Sequence, residues 1–315
     1  MPTTTNISTT YAGESAAKYV SAALLTSNTI ENGGLTVMPN VKYRSTMKKV
    51  STTDLLFDSE CDFTATSTVS LTERTVEPKQ LQVNLQFCRD DFRSDWDAVS
   101  MGYSSYDNLP PSFEQFMIAH ILGKVAEKNE QNIWGGDVNN SGEYDGLITR
   151  FTADAGTFPA GQNVTLTAGA TTSANVIANL GECVDALPSS LYGNPNLKIY
   201  VGQGIFKAYV RALGGFASGI GAAGVSDQGT MWYNGQGALS FDGIPVFMAN
   251  GLATDNIVIT HTENLFFATG LMSDMNDLRL IDMAPTDGSN NYRFVLRCSA
   301  DVNYANIEDI VWGHL

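Results

Sequence analysis

The chain has 315 residues, 43% of them hydrophobic, a composition that folds and that buries a large core, with room for more than one lobe. Its 18 Lys and Arg against 33 Asp and Glu leave a formal net charge of −15. That balance excludes a protein that grips phosphate backbones over a broad surface, because such contacts need cations.

No secretory signal is expected, since Met1 to Ser15 is polar and lacks a basic opening. The best apolar run, Ala16 to Leu25, is interrupted by Lys18 and Ser21 and is too short to span a bilayer, so no membrane is expected as a partner. Cys61, Cys88, Cys183 and Cys298 lie far apart, with no zinc or redox spacing among them. They read as reduced, partly buried thiols of a protein made in a cytoplasm.

Residues 1–35 read as an arm. Met1 to Thr10 is Thr-rich and extended, Gly13 to Leu25 has helical spacing, and Asn32-Gly33-Gly34 stops it. So little apolar content cannot fold alone, so the arm needs another surface to lie on. From Leu35 to Phe87 the pattern is extended. Leu81, Val83, Leu85 and Phe87 alternate with Gln82, Asn84 and Gln86, as in a strand with one buried face. The preceding stretch, Glu73-Arg74-Thr75-Val76-Glu77-Pro78-Lys79, is charged and has little to bury. It reads either as the tip or flank of a long projecting hairpin or as a solvated surface loop. Arg89 to Met101 is a short helical candidate whose Asp90, Asp91, Asp95 and Asp97 form its wet face.

The clearest element is a helix over Ser112 to Trp134. Pro110-Pro111 precede it, Ser112 with Gln115 fits a capping box, and Gly135-Gly136 ends it. Phe113, Met117, Ile121 and Val125 make one i+4 row. At ~1.5 Å per residue the helix is a spine of roughly 35 Å. The turn-rich Asp137 to Gly146 follows, opening like a calcium loop. The bidentate Glu that such a loop needs at its twelfth position is Ile148 here. Leu147 to Phe151 then reads as a strand. Residues 171–274 look like a separate α/β lobe, with helices at Ala174 to Leu187 and Gly204 to Leu213. Its strands are expected at Leu197 to Val201, Ile244 to Met248, Ile257 to Thr260 and Leu265 to Thr269, around a Gly-rich stretch from Gly214 to Gly237. Leu278 to Ala284 and Tyr292 to Cys298 form a second long hairpin, and Ile307 to Trp312 is the last strand.

Catalytic motifs are weak. Gly219-Ile220-Gly221-Ala222-Ala223-Gly224 matches a dinucleotide fingerprint but follows a helix, not a strand. His261-Thr262-Glu263 lacks the paired cysteines of a zinc deaminase. Three histidines, His120, His261 and His314, lie far apart. Carboxylate-only catalysis stays open from sequence. No catalytic, cofactor-binding or metal-binding residue is assigned, and no cofactor is expected.

The order of parts resembles the major capsid proteins of tailed bacteriophages, the Hong Kong 97 fold. The residues that carry the likeness are Glu127 to Gly136 at the end of the spine helix and Tyr144-Asp145-Gly146-Leu147-Ile148-Thr149 after it. Phe241-Asp242-Gly243-Ile244-Pro245-Val246 in the second lobe and Tyr292 to Arg297 near the C-terminus add to it. The resemblance implies an α+β protein with a 1–50 N-terminal arm and a 51–86 extended loop lying on a neighbouring subunit. It implies a peripheral domain of 87–170 and 275–300, and an axial domain of 171–274 and 301–315. It also implies self-assembly into pentamers and hexamers of an icosahedral shell in the virion, assembled in the host cytoplasm. The shell would enclose double-stranded DNA without sequence-specific binding, and an acidic wall suits contents to which it must not adhere. A separate scaffolding protein, a portal and decoration proteins would be partners. Glu73, Arg74, Glu77 and Lys79 of the extended loop are the expected subunit contacts, giving register more than affinity. Reversing Arg74 and Lys79 to Glu is expected to leave the monomer folded and to impair assembly. An encapsulin-like nanocompartment shell, another virion protein such as a tail-tube subunit, and an acidic enzyme remain as alternatives.

Overall fold

The computed structural model describes residues 28–52, 58, 61, 68–88, 111–213, 239–271 and 279–315, with side chains of the long helix described from Met117 onward. The Gly13 to Leu25 helix, the Arg89 to Met101 helix, the Ser112 and Gln115 cap side chains and the Gly214 to Gly237 stretch lie outside these. Three sheets organise the described residues. One has five strands: β1 (Thr36–Met38), β4 (Lys79–Cys88), β10 (Leu265–Thr269), β11 (Arg279–Asp282) and β12 (Asn291–Tyr304). A second runs β5 (Asn163–Thr165), β13 (Val311–His314), β9 (Ile257–His261), β6 (Leu197–Val201), β8 (Ile244–Met248), β7 (Ser240–Phe241). The third is a ribbon of β2 (Ser45–Thr52) and β3 (Val69–Val76).

The long helix α1 (Pro111–Gly135) starts within a residue of its expected place, with proline in its first turn. It lies on one face of the five-stranded sheet. Ile121, with Met117, Ile118 and Val125, packs against Phe87, Tyr292 and Phe294. Phe87, with Val83, comes from the apolar half of the alternation read in β4, and Tyr292 and Phe294 from its partner β12, so the strand's period of two and the helix's i+4 row meet at one seam.

The six-stranded sheet is covered on both faces. Ile199, Val201, Ile257, Ile259 and Val311 face α3 (Val176–Asp185) and α4 (Gln203–Leu213), through Leu180, Cys183, Ile205 and Tyr209. Their neighbours in sequence, Tyr200, Val258 and Trp312, face the other way, into a core shared with Trp134, Leu147, Phe151, Phe267 and Tyr304. A strand buried on both sides reads as a continuous apolar run, which is why Leu197 to Val201 and Ile257 to Thr260 show no alternation. Burial pushes the Cys183 thiol up to about 12, so it stays protonated.

Two glycines close the connection after α1. Gly146 donates its N–H to the Gly136 carbonyl at 2.9 Å. A Cβ on Gly146 would lie 2.6 Å from the Asn132 carbonyl oxygen and 2.7 Å from the Gly136 nitrogen. The backbones touch there because residues 137–145 leave and return through one gap. Asp242 and Gly243 both take positive φ, 48° and 79°, in the two-residue turn joining β7 to β8, the conformation that favours Asp-Gly in tight hairpins.

Several expectations are corrected. Leu147 to Phe151 is not a strand but the helix α2 (Leu147–Ala153), because Leu147 and Phe151, four apart, bury the same side. Residues 307–309 form a 3-10 turn, and the last strand starts at Val311. The third correction concerns hairpin pairing. β3 pairs with β2, not with β4, and β4 pairs with β12 over ten residues, Asn291 to Ala300. The expected second hairpin, β11 with β12, is present around the helical turn Ala284–Asp287.

The glycine gap gives a direct test. Gly146→Ala is expected to destabilise the subunit by about 1–3 kcal/mol, through overpacking against fixed backbone. Gly156→Ala, where an added Cβ meets nothing within 4 Å, is expected to change stability by less than ~0.5 kcal/mol. Urea unfolding of both variants checks the contrast.

Candidate subunit interface

The ribbon pairs Ser45 with Val76 at one end and Thr52 with Val69 at the other. Side chains alternate between its two faces. The inner face rests on the protein body. Val76 is fully buried with Val41 and Ala268, beside Met47. Lys49 donates to Asn306 Oδ1 at 2.9 Å and pairs with Glu308 at 2.7 Å. Arg74 pairs with Asp154 at 2.9 Å, and its guanidinium lies 3.9 Å from the centre of the Tyr304 ring. The outer face carries Val50, Val69 and Leu71, each more than 60% exposed, next to the Lys48 and Glu73 positions, which face each other in register.

A polar cluster holds the base of the ribbon. Asp301, almost fully buried, accepts from the Glu77 N–H at 2.9 Å and from Arg150 Nη2 at 2.8 Å. Burial pushes its carboxyl above the usual range, and Arg150 opposes that shift. Burial also raises the Tyr304 hydroxyl, which donates to Asp154. Lys79 Nζ donates to the carbonyls of Val138 and Glu143 at 3.1 and 2.8 Å. The Glu143 side chain pairs with Lys128 and accepts from the Asp137 N–H and Asn140 Nδ2. The Lys128 bond is the largest of the influences that bring its pKa down to about 2. The Asp137 to Gly142 turn that opens like a calcium loop is therefore closed by a lysine and by backbone N–H groups.

The four expected contact residues do not form one tip. The Glu77-Pro78 turn sits at the base of the ribbon, so the reading of residues 73–79 as the tip of a projecting hairpin is corrected. The cause is pairing. β4 needs a cover for its apolar face and finds it under α1, beside β12, which draws Glu77 and Lys79 onto the body. Glu73 faces outward, whereas Arg74, Glu77 and Lys79 bond within their own chain. The opposite end of the ribbon leads into residues 53–67, most of which lie outside the described residues. Sequence reasoning missed Arg150, Asp154, Asp301 and Tyr304. The available signal was the single carboxylate in the apolar run Ala300-Asp301-Val302, which only burial explains.

Arg74→Glu is therefore expected to lower subunit stability by about 1–3 kcal/mol, since it places a carboxylate beside Asp154 and removes the guanidinium from Tyr304. Glu73→Lys is expected to leave stability within ~0.5 kcal/mol. Chemical denaturation of the two variants separates the base of the ribbon from its outer face.

No family model matches the chain, and no curated protein matches it in sequence. Solved structures do match. The capsid of a native GTA particle aligns with a TM-score of 0.61 at 13% identity, covering 95% of this chain and 93% of that one. The capsid of cyanophage A-1(L) aligns at 0.58 and 16%, covering 95% of each chain. A chain of Gordonia phage Cozz aligns at 0.59 and 12%, covering 99% of this chain and 91% of that one. Across nearly its whole length, this mixed helix-and-sheet chain has the fold of a phage capsid subunit.

Proposed function

We propose that the chain is a major capsid protein that builds an icosahedral phage head by self-assembly into pentamers and hexamers around double-stranded DNA. The observation that carries the proposal is the fold match over 91% or more of both partners in each alignment, with chains from phage and GTA particles. In this reading the function is assembly in the virion, not catalysis, and the working parts are surfaces. The five-stranded sheet with α1 is the peripheral domain, and the six-stranded sheet with α3 and α4 is the axial domain. The ribbon, 45–76, is the extended loop, in place of 51–86. A ribbon of two strands has little stability of its own, and its outward Val50, Val69 and Leu71 are a surface that a neighbour would cover. Closed rings of one subunit use heterologous contacts of this kind, burying roughly 2,000 Å² or more. A separate scaffolding protein, a portal and decoration proteins are the further partners of this reading. No described helix is long and apolar enough to cross a membrane.

Negative-stain microscopy of the concentrated protein, alone and co-expressed with its scaffold, tests the proposal. Closed shells, curved sheets, or rings with five- or six-fold symmetry are expected. A compact monomer under both conditions contradicts it.

A further inference from the structure

The turn between β1 and β2 carries a local excess of positive charge. From Asn32 to Thr53 the sequence holds Lys42, Arg44, Lys48 and Lys49 and no Asp or Glu, in a chain of net charge −15. Lys49 is turned inward, onto Glu308. Lys42, Tyr43, Arg44 and Lys48 are exposed, and Tyr43, at 75%, is the most exposed large hydrophobic side chain among the described residues. The backbone beneath them is held. The Asn40 and Val41 N–H groups donate to the Gly270 and Thr269 carbonyls at 2.6 and 3.0 Å, Asn40 takes a φ of 63°, and Val41 is buried against Val76 and Ala268. The turn thus presents its side chains from a fixed base. Among the described residues none of Lys42, Arg44 and Lys48 is in an ion pair. The acidic residue facing them in register is Glu73, opposite Lys48.

Uncompensated cations on a fixed turn of an acidic protein fit an anionic partner. An acidic protein and a nucleic acid both offer anions, and the turn suits the second better. A stable protein contact needs roughly 800 Å² on each side and a desolvated apolar centre. Here the exposed apolar groups are Tyr43 and, beyond Gly270, Leu271. A phosphate backbone needs only cations and hydroxyl donors, which Lys42, Arg44 and Tyr43 supply. Lys42 and Arg44, two residues apart, stand up to about 7 Å apart, the rise of two nucleotides on one strand of a duplex. Carboxylates elsewhere on the chain repel a duplex and so keep the contact local.

We infer that the turn Lys42-Tyr43-Arg44 is a contact point for the phosphate backbone of double-stranded DNA. Lys42 and Arg44 pair with neighbouring phosphates and the Tyr43 hydroxyl donates to one of them, without reading base sequence. The inference rests on the shell reading, in which DNA lies against the wall, and adds to it the residues that touch the DNA. One small contact per subunit, repeated over a shell, holds the outermost duplex without a broad adhesive surface.

The test is binding of a short duplex of mixed sequence to the purified full chain, across a salt series. The site variant is Lys42→Glu with Arg44→Glu. The control is Lys207→Glu with Arg211→Glu, which makes the same change of net charge at exposed cations of α4. Circular dichroism confirms folding, and Lys42→Gln with Arg44→Gln serves as a milder site variant. The unaltered chain is expected to bind with log K falling against log salt at a slope of about −2. The site variant is expected to lose about tenfold or more in affinity at low salt, with a slope near zero, and the control to stay within about threefold. An equal loss in the control overturns the inference, because net charge and not the turn would then govern binding. So does an unaltered chain that binds no duplex at low salt, or a folded site variant that binds it normally. Preference for a polyglutamate peptide over the duplex also overturns it, and would assign the turn to an acidic protein. The assay reads the subunit alone, so its failure is distinct from failure of the shell reading, which shows as absence of shells from the unaltered chain.

Discussion

The fold depends on the six-stranded sheet being walled on both sides. β6, β9 and β13 each send alternate side chains into two different cores. On one side lie α3 and α4. On the other lies a cluster in which Trp134, Phe151, Tyr304 and Trp312 interlock, with Phe151 and Tyr304 ring centres 5.3 Å apart. That second cluster includes residues of the five-stranded sheet and of both helices that frame the glycine gap. One hydrophobic wall thus fixes the long helix, the ribbon base and the α/β lobe with respect to one another. Such preorganisation would serve the proposed assembly, since a surface held by a rigid core loses little entropy when it docks.

Onto that core the chain straps its early residues. Glu130, wholly buried near the end of α1, accepts from the Thr29 N–H at 3.2 Å and the Gly251 N–H at 3.4 Å. Trp134 donates from its indole to Thr29 Oγ1 at 3.0 Å. Tyr200 donates to the Gly34 carbonyl, and β1 then joins the edge of β10. A carboxylate taken out of water is costly unless donors surround it, and here backbone N–H groups from two segments do so. The strap thereby fixes residues 28–34 on the body, and the contacts at Lys49, Arg74 and Val76 fix the base of the ribbon.

Much of this was legible in sequence, for identifiable reasons. Elements with one strong periodicity stood out. The i+4 row of α1, the alternation of β4 and the apolar runs of β6, β8, β9 and β10 are found within a residue or two of where they were expected. Their partners were not legible. β4 is expected beside the strand that precedes it, because sequential strands usually pair, yet it crosses to β12, more than 200 residues away. Alternation specifies a buried face without naming what buries it. Leu147 to Phe151 failed for the complementary reason. Five residues hold one helical repeat, and the same apolar spacing suits a short strand. The base cluster was hidden because Arg150, Asp154, Asp301 and Tyr304 are separated by up to 154 positions and meet only through the fold.

In the proposed reading the body of the subunit is complete alone and its ribbon is completed by a neighbour. Hydrogen–deuterium exchange on free subunits and on assembled particles tests this most directly. The account predicts slow exchange at Ile257–His261 and Val311–His314 in both states. It predicts fast exchange at Ser45–Thr52 and Val69–Val76 in the free subunit, with strong protection gained on assembly. Equal protection of the ribbon in the two states would contradict it.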